Sequence, residues 1–196
     1  MKEMDRKKKI WTIPNILSMV RLALIPVIVW LYVSKENYVW AGSLLLLSGA
    51  TDVVDGFIAR KFNMISDLGK VLDPVADKLT QGAVLICLLG RFPLMALPLA
   101  MMVVKETFMS VTGLQVIRRT GKVISADWHG KVATLLLYGT MLTHIFWGDI
   151  SDTQSALSIG ATVVMIAISF WLYGRDNVNA LRQAKAEREQ AAAGDK

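Results

Sequence analysis

Apolar residues run through this chain in long blocks, not in the period-two alternation of strands or the narrow stripe of a soluble helix. The blocks fall at about 16–33, 38–60, 69–89, 93–117, 128–147 and 153–173. Each is long enough, at about 1.5 Å per residue, to cross a hydrocarbon core of roughly 30 Å. The pattern predicts an all-α integral membrane protein with six transmembrane helices. Pro26 and Pro98 fall inside these blocks and should kink them. Gly42, Gly49, Ala50, Gly113, Gly139 and Gly160 would permit close helix contacts.

The ends differ from the middle. The opening MKEMDRKKKIW is basic and closes on Trp11, as in an amphipathic juxtamembrane helix lying at the membrane surface. A signal peptide is the competing reading. Against it, no small-residue cleavage site follows the first apolar block, which runs on into Ser34-Lys35-Glu36-Asn37. Residues 174–196 are polar and Ala-rich, with Lys185 and Glu189 at helical spacing, and read as a solvated helix or disordered tail. The expected division is a juxtamembrane segment over 1–15, a six-span catalytic domain over 16–173 and a tail over 174–196.

A 54% hydrophobic content and a mean hydropathy of +0.44 in 196 residues exclude an ordinary soluble domain. The net charge of +6 and pI near 9.5 could indicate nucleic acid, but the basic residues flank membrane blocks, so nucleic acid is excluded as a partner. Anionic membrane lipid and a phosphorylated substrate fit those positions. The N-terminal segment, the 60–70 and 118–131 connections and the tail hold 17 of the 22 Lys and Arg, whereas the opposite loops hold only Lys35 and Arg91. By the positive-inside rule, this is a multi-pass protein of the cell membrane with both termini in the cytoplasm. Cys87 is the only cysteine, so no intrachain disulfide can form.

Carboxylates interrupt this pattern where they are most costly. Asp52 and Asp55 end the second block at i,i+3, sharing a helix face with Gly56 and Ala59; Asp73 and Asp77 open the third at i,i+4, with Gly69 one turn earlier. A short connection would bring the two acidic faces together on the cytoplasmic side. Like charges about 4 Å apart repel by roughly 4 kcal/mol at an effective dielectric near 20. Four together must take up protons or recruit cations. An all-oxygen set without His or Cys suits a hard divalent ion, and four carboxylates balance two such ions, Mg²⁺ or Mn²⁺. The plainer alternative is an acidic cluster neutralised by Lys70, Lys78 or Arg60.

The spacing D-x2-D-G-x2-A-R-x8-G-x3-D-x3-D, from Asp52 to Asp77, resembles the signature of the CDP-alcohol phosphatidyltransferase family at every fixed position. Pro14-Asn15-Ile16-Leu17-Ser18-Met19-Val20-Arg21, the Leu72–Lys78 stretch and Gly130-Lys131 are similar to its phosphatidylglycerophosphate synthase branch. The resemblance implies transfer of a phosphatidyl group from CDP-diacylglycerol to glycerol 3-phosphate, releasing CMP, in a homodimeric enzyme. It implies Asp52, Asp55, Asp73 and Asp77 as metal ligands and Asp77 as general base. Residues alone do not choose a base among the four. It also implies donor contacts from Asn15, Ser18, Gly56, Arg60 and Ser66.

Several of these residues have a structural reading beside the functional one. Gly56 admits either a close nucleotide or a close helix. Arg60 can contact the donor or simply obey the positive-inside rule, and Ser66 can serve as a turn residue or helix N-cap. The acceptor's phosphate needs cations, for which Arg118 and Lys131 are the candidates, with Arg119 and Lys122 nearby. Membrane topology alone would place basic residues there too. Lys105 and Glu106, within the fourth block, and Arg21 are either functional or structural charges. His129 reads as a solvated interfacial histidine in preference to a metal ligand, and His144 as remote from the site. Alternative functions are the same chemistry with inositol phosphate, serine or phosphatidylglycerol as acceptor, or a cation-coupled transporter.

Overall fold

The computed structural model describes residues 12–62, 68–120 and 128–194, and over these the chain is helical with no strand. Six helices follow one another: α1 (Ile13–Val33), α2 (Tyr38–Lys61), α3 (Gly69–Leu89), α4 (Ala96–Thr120) after a 3₁₀ turn at Pro93–Met95, α5 (Trp128–Phe146) and α6 (Asp152–Gly194). They coincide with the six apolar blocks to within a few residues, except that α6 continues well beyond its block. The N-terminal amphipathic helix was expected over residues that lie mostly outside those described.

Local sequence sets the helix starts. Thr12 is extended and its hydroxyl accepts the Asn15 N–H, while Pro14 occupies the first turn, where a missing N–H leaves no bond unmade. Asn37 closes the short turn after α1, its side chain accepting the Trp40 N–H at the start of α2. Pro26 stands inside α1. Pro98 is different: it falls in the first turn of α4, where proline is tolerated, so the kink expected there has no cause. Pro74 lies inside α3 between Asp73 and Asp77.

Four segments among the described residues are long and apolar enough to cross a membrane: Ile13–Val33, Tyr38–Ile58, Pro93–Arg118 and Asp152–Ala186. The remaining helices fall short for visible reasons. Asp73, Asp77 and Lys78 charge α3, and Lys131, His129, His144 and several threonines dilute α5. The protein is a membrane protein by these helices.

The chain divides into two compact units, Met1–Met95 with Met141–Ile150, and Ala96–Thr140 with Ser151–Lys196. In the first, α1 packs along both α2 and α3, which touch each other little. Its apolar core is formed by Ile28, Tyr32, Ala41, Leu45, Val84, Leu85 and Leu88. Phe146 lies against Gly42, where any side chain would meet its ring, and Arg91 spans Tyr38, Phe92 and Asp149. His144 packs edge-on to Phe92.

In the second unit, α4 and α6 pack along each other over a core that includes Met102, Val116, Ile166 and Tyr173. Buried polar pairs tie its helices together. Thr140 meets Thr162 at 2.7 Å, His129 Nδ1 meets Ser169 Oγ at 3.3 Å, and Asn177 donates to Thr112 at 2.7 Å. His129 is therefore not the solvated interfacial histidine expected: Ser169 and the Tyr173 ring enclose it. α6 passes Gly174 without a break, and Asn177 and Ala184 are buried beyond it. In an apolar medium such pairs hold helices together where the hydrophobic effect does not, at about 0.6 kcal/mol each. A double-mutant cycle of Thr140→Val and Thr162→Val is expected to give a coupling of about that size in thermal unfolding of the purified protein. Strict additivity would show that the hydroxyl contact contributes nothing.

Candidate active site

Three helices of the first unit bring polar residues to one end. Along α1, Asn15, Ser18 and Arg21 are buried on the face that continues apolar through Ile28 and Tyr32. Along α2, which runs back, the buried stripe is Ala41, Leu45 and Ser48, with Asp52 next at helical spacing. Along α3, Asp73, Asp77, Thr80 and Gln81 precede Val84, Leu85 and Leu88. The starts of α1 and α3 and the end of α2 thus form a polar end, and the buried faces of these three helices beyond it are apolar.

Of the neighbours that hold the carboxylates, sequence reasoning had offered only Lys78 as a partner. Arg21, with a side chain at 0% exposure, places Nη1 2.8 Å from Asp52 Oδ1. The Ser18 hydroxyl, also directed at its own helix's Pro14 carbonyl, bonds Asp73 Oδ1. Gln81, fully buried, donates from Nε2 to Asp77 Oδ2 at 2.9 Å, and Lys78 Nζ lies 3.6 Å from the same oxygen. Arg21 and Ser18, one turn apart on the same face of α1, hold Asp52 and Asp73 respectively, so the two acidic helices meet α1 at one place. Gln81 had a signal in the sequence, since 77 and 81 share a face at i,i+4. The Ser18–Asp73 contact joins residues 55 apart in sequence and had none.

The remaining candidates divide by what the structure describes. Gly56 follows Asp55 in α2 and is half-buried. Asp55 and Arg60 are helical, but their side chains lie outside the described set, as does Ser66 altogether. Arg118, in the last turn of α4, and Lys131, in the first turn of α5, are exposed and belong to the second unit. Lys105 and Glu106 form an ion pair of adjacent residues at 3.2 Å.

Among the described residues no three carboxylate, His or Cys side chains close on a single cation position. The donor set is nonetheless the kind a hard divalent ion takes. It is all oxygen, and Asp52 and Asp73 each commit Oδ1 to an anchoring partner while Oδ2 makes no bond among the described residues. Asp52 keeps 42% of its side chain exposed, so the cluster is open to an incoming ion or ligand.

The profile of the CDP-alcohol phosphatidyltransferases matches residues 11–175, most of the chain and all of this site. The chain belongs to that family. A Bacillus subtilis relative named CDP-diacylglycerol–glycerol-3-phosphate 3-phosphatidyltransferase is 31% identical over 193 residues, covering 88% of this chain and 98% of its own. A Rickettsia bellii protein of the same name is 40% identical over 100 residues, half of this chain and 55% of that protein. A Streptomyces coelicolor protein named cardiolipin synthase (CMP-forming) is 38% identical over 135 residues, 66% of this chain and 62% of its own.

Within this family fold, Gln81 contacts Asp77 from one turn away and is sealed from water. Gln81→Leu removes that amide but keeps most of the volume, so it is expected to lower phosphatidyl transfer about ten-fold while the protein stays folded, as for loss of a neighbour that orients a ligating carboxylate. Unchanged turnover would make Gln81 a packing residue only.

Proposed function

We propose that the protein transfers a phosphatidyl group from CDP-diacylglycerol to glycerol 3-phosphate, giving phosphatidylglycerol phosphate and CMP. The observation that supports this reading is that α1 holds Asp52 through Arg21 and Asp73 through Ser18 at one polar end, within the stretch that the family's profile matches. The names of the Bacillus subtilis and Rickettsia bellii relatives support glycerol 3-phosphate as acceptor. Nothing in the family or its relatives favours the cation-coupled transporter.

In this proposal all six helices cross the cell membrane, with both termini and the carboxylates at the cytoplasmic side, and the enzyme works as a homodimer. The donor's acyl chains stay in lipid while its nucleotide and diphosphate reach the polar end. Asp52, Asp55, Asp73 and Asp77 hold two divalent cations, Mg²⁺ or Mn²⁺, a cofactor class that the family generally uses. When bound, the cations neutralise the diphosphate and make its phosphorus more electrophilic. Asn15, Ser18, Gly56, Arg60 and Ser66 line the donor, and Gly56 lets the nucleotide approach the backbone of α2. Asp77 accepts the proton of the acceptor's hydroxyl. The resulting oxygen forms a bond to the phosphorus that bears diacylglycerol, the bond from that phosphorus to the bridging oxygen breaks, and CMP departs.

One assay tests the reading. Purified protein is given CDP-diacylglycerol and one acceptor at a time, and CMP release is followed with Mg²⁺ present and again after EDTA. Release with glycerol 3-phosphate that EDTA abolishes and Mg²⁺ restores is the expected result. Release with phosphatidylglycerol alone would move the protein to the chemistry for which the Streptomyces coelicolor relative is named. Undiminished release in metal-free buffer would remove the cations from the mechanism.

Arg118 and Lys131 are proposed to hold the acceptor's phosphate. A hydrogen bond to a charged group contributes about 1.5–3 kcal/mol, which is roughly ten- to a hundred-fold in affinity. Lys131→Gln is therefore expected to raise KM for glycerol 3-phosphate by about that factor and leave KM for CDP-diacylglycerol unchanged. Wild-type kinetics in correctly inserted protein would assign Lys131 to membrane topology alone.

A further inference from the structure

Arg21 has no role in the reaction just described, yet it is among the largest fully buried side chains of the protein. It stands eight residues into α1, about 12 Å along the axis at the usual rise. An ionised guanidinium so placed is stable only against an opposite charge. α1 carries no carboxylate of its own, and the charge it meets is on α2. Ser18, one turn earlier on the same face, makes the matching contact to α3. Both contacts engage Oδ1 of a carboxylate and leave Oδ2 without a bond among the described residues. Because α2 and α3 touch each other little, α1 is the element through which their carboxylates are set relative to one another.

We propose that Arg21, assisted by Ser18, is a positioning residue for the cation site: from a third helix it fixes one oxygen of Asp52 and turns the other toward the ion, as Ser18 does for Asp73. The inference rests on the metal-dependent reading above and adds to it the residues that orient the ligands. Two effects of Arg21 oppose each other. Its positive charge repels a nearby cation, so removing the charge would by itself tighten cation binding. Its ion pair with Asp52 pre-orders a ligand, and losing an outer partner of a ligating group typically weakens metal binding about 10- to 100-fold. The proposal is that ordering outweighs repulsion, which makes the direction of the change diagnostic.

The test uses the full-length protein in lipid nanodiscs and Mn²⁺ alone, with the free ion measured by its paramagnetic resonance signal and unfolding followed in parallel. Arg21→Gln is expected to raise the Kd for Mn²⁺ about 10- to 100-fold. Arg21→Lys, which keeps the charge but not the planar fork, should fall between it and the wild type. Ser18→Ala should weaken binding in the same direction, and it decides the matter if Arg21→Gln does not fold, because it removes a single buried oxygen. Equal or tighter Mn²⁺ binding by the folded variants would overturn the proposal, including the case in which only the melting temperature falls and Arg21 is a structural staple. Asp73→Asn separates the two levels of argument. If it loses Mn²⁺ while the α1 variants retain it, the metal site stands and the positioning role fails; if the wild type binds no Mn²⁺, both readings fail.

Discussion

A charge inside an apolar bundle persists only beside a compensating charge, a hydrogen-bond donor or water, and the polar end of the first unit is arranged around that constraint. Asp52 lies against Arg21, Asp73 against Ser18, and Asp77 against Gln81 and Lys78. Three carboxylates are thus met by partners from α1 and α3 that are themselves wholly or partly buried. Removing one partner would leave a charge stranded, so the polar end is stable as a set and weak as separate parts. The apolar half of each helix, with Ile28, Leu45 and Leu85 in its core, fixes the helices so that these pairs can form.

This explains why α1 matters although it bears no carboxylate. Its buried face changes from polar to apolar along its length, and the buried faces of α2 and α3 change in register with it. Antiparallel packing through the short turn at Ser34–Asn37 sets the end of α2 beside the start of α1. A helix that contacts both neighbours while they hardly touch each other transmits position between them.

Much of this was legible in the chain. Block lengths gave six helices because a helix that must satisfy its own backbone in lipid needs a long apolar run. Asp52, Asp73 and Asp77 stood out in the sequence because charge at such positions is rare and the spacing of 73 and 77 falls on one helix face. What stayed hidden depends on contacts between distant residues. The partner of Arg21 is on another helix, and only packing shows that this arginine faces Asp52 and not lipid headgroups. His129 misled for the same reason: its position at the start of α5 suggests water, but α6 covers it. The extent of α6 was hidden by composition, since a polar sequence after Gly174 gives no sign that Asn177 will find Thr112 and continue the packing.

The acceptor is a different kind of question, and the arrangement of the site says why. The contacts described around the carboxylates hold the carboxylates themselves, and none of them distinguishes one acceptor from another. Relatives named for glycerol 3-phosphate and for cardiolipin synthesis accordingly match this chain at similar identity, 40% and 38%. A phosphate-bearing acceptor of either kind attracts cations such as Lys131, so positive charge alone does not separate them. What separates them is size and polarity: glycerol 3-phosphate is small and wholly hydrated, whereas phosphatidylglycerol brings two acyl chains that must remain in lipid. In the proposed reaction, selection between them turns on how an acceptor approaches the site, from water or along the membrane. On that proposal, specificity lies in the approach to the site, while the aspartates and the residues that orient them carry the transfer itself.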